Sequence, residues 1–204
     1  MRAVTKVEGR AVVLDRPNVD TDQIIPAAWL KRVERTGFGP GLFSAWRTDP
    51  GFVLNQPGAD EAKILIAGPN FGCGSSREHA VWALQDFGFE AVIAPGFADI
   101  FRGNSIGAGL VTAQADEAAV AGLGQALAAD PGAAVVVDVG ERTITVPSAG
   151  LSYSFDLPDY ARWRLLEGLD DIGITLRHAD EIADFEQHRP VWLPSSAPAV
   201  RSGA

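Results

Sequence analysis

The stretch AKILIAGPNFGCGSSREHAVWALQDFGFEAVIAP, residues 62–95, decides the fold. AKILIAG is a short apolar run with the look of a buried strand, and AVIAP, 91–95, is a second one. Between them, apolar residues at Ala80, Ala83, Leu84 and Phe87 follow helical spacing over 76–87. Gly88 stands where a C-terminal cap belongs. The reading is strand, loop, helix, strand, over an interval typical of a parallel crossover unit.

The loop of this unit holds Gly68, Gly72 and Gly74, then Ser75, Ser76, Arg77, Glu78 and His79. One reading is purely local. Ser75 and Glu78 have the spacing of a capping box, with the glycines turning the chain. The other is functional. A helix N-terminus behind a glycine-rich loop presents free N–H groups to an anion, and Arg77 can grip a carboxylate through two parallel hydrogen bonds. No lysine follows the glycines, so this is no phosphate-binding P-loop, and it lacks the G-x-S-x-G of a nucleophile elbow.

Working outward, residues 3–14 read as one or two strands with a possible turn at Gly9–Arg10. A polar loop ending at Pro26 follows, then a short helix over 27–35. TGFGPGLF, 36–43, is too glycine-rich for regular structure. Beyond the central unit, residues 97–107 read as a helix or turn and GLVTA as a strand. Residues 116–129 read as a helix. Residues 133–139, 142–147 and 151–156 alternate as antiparallel strands. Residues 158–169 and 178–188 read as helices, with His178 and His188 at helix ends. A loose tail is expected from 194 to 204, and no linker divides the chain.

Composition narrows the function. A formal charge of −9 disfavours nucleic acid as a partner, because phosphate binding needs a basic face. A local cationic pocket for a small anion remains open; Lys31, Arg32 and Arg35 are candidates for it beside Arg77. The single cysteine, Cys73, excludes an internal disulfide and cannot hold an iron–sulfur cluster alone. No apolar run approaches a membrane span and the N-terminus has no leader-like h-region, so a cytoplasmic setting is expected. Asp20, Thr21 and Asp22 place two carboxylates around a hydroxyl, which reads locally as an Asx-turn.

Taken together, DTDQIIP (20–26), LKR-x-x-RTGFG (30–39), FGCGSSREHAVWAL (71–84), IFRGNSIGAGL (100–110) and LEGLDDIGITLRHADEIADFE (166–186) resemble the small subunit of 3-isopropylmalate dehydratase, a relative of the aconitase swivel domain. The resemblance runs from about residue 4 to residue 193. It implies an α/β fold, a single β/β/α swivelling domain of the aconitase C-terminal type over residues 1–193. It implies a hydro-lyase of leucine biosynthesis that interconverts 2- and 3-isopropylmalate through isopropylmaleate, active only with a large subunit that carries a [4Fe–4S] cluster. No metal is then expected in this chain.

By the same resemblance Ser75 is the catalytic base, and Ser76 and Arg77 bind a substrate carboxylate. Trp29, Leu30, Lys31 and Arg32 lie in the substrate-recognition loop, their apolar members toward the isopropyl group. Asp20, Thr21, Asp22, Gly72 and Gly74 shape loops. The position of Cys73 varies in the family and need not be functional, and His79 is expected to pack locally. Two alternatives stand beside this reading: a sister hydro-lyase acting on homoaconitate, citraconate or dimethylmaleate, and a non-catalytic binding module.

Overall fold

The computed structural model of the chain describes residues 1–31, 34–190 and 192–193. Arg32 and the expected tail, 194–204, lie outside the described residues. The chain divides into two units, Met1–Asp170 and a second from Asp171 onward.

The first unit is built on a seven-stranded sheet: β1 (Lys6–Leu14), β2 (Ile64–Ala67), β3 (Ala91–Ala94), β4 (Val111–Gln114), β5 (Ala134–Asp138), β6 (Thr143–Val146) and β7 (Leu151–Ser154), in the order β4-β3-β2-β1-β5-β6-β7. The half from β4 to β1 is parallel, with Ala11 opposite Ile64, Ile64 opposite Ala91 and Ala91 opposite Val111. The half from β1 through β5 and β6 to β7 is antiparallel. β1 therefore joins the two. It runs as one nine-residue strand through Gly9, so the turn expected at Gly9–Arg10 does not form. The ladder to Val135 and Ala134 on β5 continues across that pair and holds the backbone extended.

Every residue of β2 and β3 is buried. Such continuous apolar runs belong to strands covered on both faces. Ile64, Ile66, Ala91 and Ile93 point to one core, shared with Ala119, Leu123 and Leu127 of α4 (Glu117–Ala129) and Leu165 of α5 (Asp159–Glu167). Leu65, Ala67, Val92 and Ala94 point to the other, which receives Ala80, Val81, Ala83 and Leu84 of α2 (Glu78–Phe87) and Phe38, Phe43 and Phe71. The two edges of the sheet approach each other: the Asp156 N–H, just beyond β7, donates to the Gln114 carbonyl of β4 at 2.7 Å. The sheet is curled.

α3 (Asp99–Ala108) fills the expected place between β3 and β4. α1 (Thr21–Ile24) stands where the sequence suggests only a polar loop, and the helix expected over 27–35 is a 3₁₀ segment, Ala27–Lys31. In the second unit, α7 (Ala179–Gln187) follows the expected boundaries, with His178 and His188 at its two ends. A short α6 (Asp171–Leu176) precedes it, too brief to show a helical period in the sequence.

Candidate functional site

The connections leaving the carboxyl ends of β1, β2 and β3 weave together. This end of a parallel sheet is where open α/β proteins place ligands. The Asn18 N–H donates to the Pro69 carbonyl at 2.9 Å, and the Phe71 N–H donates to the Gly96 carbonyl at 3.0 Å. The 68–77 loop is thus flanked on both sides by backbone. Gly72 and Gly74 both have positive φ, 77° and 89°. At Gly72 a Cβ would also lie 2.2 Å from Phe101 Cγ, so both backbone conformation and space demand glycine there.

α1 clamps this loop. Its own start is a capping box: the Gln23 N–H donates to Asp20 Oδ1 at 2.7 Å, and the Asp20 N–H donates to Gln23 Oε1 at 2.9 Å. The residue inside the box, Thr21, is buried and reaches the loop twice. Its N–H donates to the Cys73 carbonyl at 2.9 Å, and its Oγ1 donates to the Ser75 carbonyl at 2.8 Å. The next residue, Asp22, pairs with the Arg77 guanidinium through Arg77 Nη1. The same nitrogen lies 3.5 Å from the Ile25 carbonyl. Asp20, Thr21 and Asp22 therefore divide the work: one starts the helix, one holds the serine's backbone, one holds the arginine.

The capping box expected at Ser75 and Glu78 does not form. α2 begins at Glu78, its N-cap is Arg77, and no side chain caps it. Ser75 stands two residues ahead of the cap, with its carbonyl taken by Thr21 Oγ1 and by the Arg77 N–H at 2.9 Å. The carbonyl is fixed while the residue itself is exposed, as is Ser76. Burial pushes the Cys73 thiol up, and the Asp20 carboxylate adds to the rise. A thiol so disposed is a poor nucleophile.

The remaining predicted residues border this cluster. Trp29 and Leu30 are half-buried and pack on the aromatic-rich core, whereas Lys31 is exposed. The guanidinium of Arg35 lies over the Trp82 ring, 5.7 Å from its centroid. His79 packs locally, edge-on to Phe38 at 5.2 Å and 4.7 Å from Trp82. Sequence reasoning missed the Thr21–Ser75 and Asp22–Arg77 links, which join segments more than fifty positions apart. Its signal for α1 was present, since Asp20 and Gln23 have capping-box spacing.

A cleft of about 470 Å³ lies between the ends of β1–β3 and α4, lined by Val13, Ile66, Pro69, Pro95, Val120 and Gly124 among others, and includes none of the predicted site residues. Among the described residues no three His, Cys, Asp or Glu side chains group as metal ligands, and no helix is long and apolar enough to cross a membrane.

Residues 1–118 match the aconitase C-terminal domain family, and residues 171–194 match the C-terminal domain of the 3-isopropylmalate dehydratase small subunit. The 3-isopropylmalate dehydratase small subunit of Frankia alni is 60% identical over 196 residues, covering 96% of this chain and 100% of the relative. That of a Nocardioides species is 59% identical, covering 96% and 98%. A solved structure of 3-isopropylmalate dehydratase from Methanocaldococcus jannaschii matches with a TM-score of 0.68 at 27% identity, over 88% of this chain and 98% of that one.

Proposed function

The chain belongs to the 3-isopropylmalate dehydratase small-subunit family of the aconitase superfamily, and on that premise we propose that it supplies the proton-transfer and carboxylate-binding half of a hydro-lyase site. The substrate is 2-isopropylmalate, and the other half belongs to a large subunit. Residues 1–193 are taken as the aconitase-like swivel region, a reading supported by matched segments at both ends of it. The single cysteine and the acidic composition support a reducing, cytoplasmic setting with no nucleic-acid partner.

In this reading Ser75, deprotonated, takes a proton from the carbon next to a substrate carboxylate. The C–O bond on the adjacent carbon then breaks, leaving isopropylmaleate. Return of water with the opposite orientation gives 3-isopropylmalate. Arg77 and Ser76 hold the carboxylate that takes up charge as the proton leaves. The [4Fe–4S] cluster proposed for the large subunit supplies Lewis acidity for the departing hydroxyl.

The observation that carries the proposal is the exposed Ser75 whose carbonyl is pinned twice, beside an arginine anchored through one nitrogen. A guanidinium carries five N–H donors, so Arg77 keeps capacity for a carboxylate while bound to Asp22. A serine alkoxide is costly near neutral pH. A helix N-terminus contributes ~0.3–1 kcal/mol and fades beyond the first turn. One pKa unit is about 1.36 kcal/mol, so α2 alone shifts Ser75 by less than a unit. Arg77 and exclusion of water by the docked partner supply the rest.

The test offers 2-isopropylmalate and the unsaturated acids homoaconitate, citraconate and dimethylmaleate, one at a time, to the reconstituted pair. 2-Isopropylmalate is expected to give the highest kcat/KM. Preference for homoaconitate, citraconate or dimethylmaleate would assign a sister hydro-lyase instead, and no turnover with any of them would favour a binding module.

A further inference from the structure

The segment between Arg77's backbone acceptor and the exposed Lys31 is short: Ile25, Pro26, then the 3₁₀ segment Ala27–Lys31. Both ends of its apolar underside rest on one residue. Gly41 is buried, and a Cβ placed on it would lie 2.5 Å from Ile25 Cδ1, 2.6 Å from Trp29 Cδ2 and 2.8 Å from Trp29 Cε2. Cδ2 and Cε2 are the two carbons shared by the fused rings, so the indole lies across the bare glycine by its middle. The Trp29 N–H closes the turn on the Pro26 carbonyl at 2.9 Å.

We propose that Gly41 is a positioning residue for substrate recognition, the seat on which the Trp29 ring fixes the 27–31 segment beside Arg77. This rests on the reading of that segment as the substrate-recognition loop. The physical case is one of compliance. Ile25 Cδ1 is the end of a flexible side chain and can rotate away from an added methyl. The indole is a rigid plate and cannot. Carbon atoms need roughly 3.5–4.0 Å, so a methyl at Gly41 lifts the ring by about 1 Å. Pro26, with its φ fixed by its ring, and the Trp29–Pro26 hydrogen bond pass that displacement to the whole turn. The three atoms nearest the added Cβ belong to Ile25 and Trp29 and none to Thr21 or the 73–75 backbone, and the Ile25 side chain can yield, so the displacement falls mainly on Trp29. Recognition of the branched alkyl group should suffer more than proton transfer.

The experiment is a double-mutant cycle on the pair reconstituted with its large subunit. Gly41→Ala is expected to raise KM for 2-isopropylmalate about tenfold, the low end of what a misplaced methylene costs in an apolar pocket, with kcat nearly unchanged. In a Trp29→Leu background the same Gly41→Ala change should have no further effect on KM. Additive effects, or an unchanged KM in soluble Gly41→Ala, overturn the proposal. Should Gly41→Ala not fold, an unchanged KM in Trp29→Leu alone overturns it equally. The seat is also read without turnover. Among the five tryptophan indole N–H resonances, that of Trp29, assigned by its loss in Trp29→Leu, should shift in Gly41→Ala while that of Trp82 stays. If the wild-type pair ignores 2-isopropylmalate, the functional reading fails, and the indole resonance still decides the seat.

Discussion

Arg77 shows most clearly how the site is prepared at the scale of a residue. The described contacts of its guanidinium run through Nη1, to Asp22 and to the Ile25 carbonyl. A lysine at this position has a single ammonium that must choose between Asp22 and a substrate carboxylate, and it lacks the planar two-pronged donor. Arg77→Lys should therefore raise KM for 2-isopropylmalate by about tenfold or more, measured in steady-state kinetics of the reconstituted pair. An unchanged KM would remove carboxylate binding from this residue. The sequence disclosed Arg77 as a carboxylate-binding candidate because a guanidinium at a helix start behind a glycine-rich loop can grip a carboxylate through two parallel hydrogen bonds. It did not disclose Asp22 as the partner. Ion pairs between segments far apart in sequence leave no periodic trace, and Asp22 read equally well as a turn residue.

At the scale of the element, α1 is one turn of helix that does the work of a brace. A four-residue helix has almost no stability of its own, since nucleation is unfavourable. It exists because the capping box closes its start, buried Thr21 and Ile24 anchor it, and the 73–75 backbone accepts its donors. Thr21→Val keeps the shape and deletes the bond to the Ser75 carbonyl. It should cost ~1 kcal/mol of stability, seen as a fall of roughly 2–4 °C in Tm. It should also lower kcat by at least about tenfold with a much smaller change in KM, because a shift of about 1 Å at a reacting group is expensive. Equal losses in both constants would mark Thr21 as merely structural. β2, β3, α2 and α4 were legible because each buries a face or a full run, which leaves an apolar pattern in the sequence. α1 and α6 were not, being too short to show a period. The misplaced cap at Ser75 has the same origin: a serine and a glutamate at the right spacing satisfy the pattern, but α1 takes the Ser75 carbonyl first and delays the helix to Glu78.

At the scale of the whole molecule, the chain carries a −9 charge, and among the described residues Arg77 sets a local cation two positions from Ser75. Ser75 stands exposed, away from the cleft between the sheet ends and α4. Such an arrangement fits the proposed half-site, in which a second polypeptide desolvates the serine. One crossover of the parallel half, β2–α2–β3, could be read directly from residues 62–95. The curl that brings β4 to Asp156 could not, since it depends on long-range closure. The central claim, that Ser75 is the base and the large subunit completes its site, is tested most directly by Ser75→Ala assayed with that subunit. Turnover should fall by several orders of magnitude, with folding and subunit association retained. Near-normal turnover of 2-isopropylmalate by the assembled variant would contradict it.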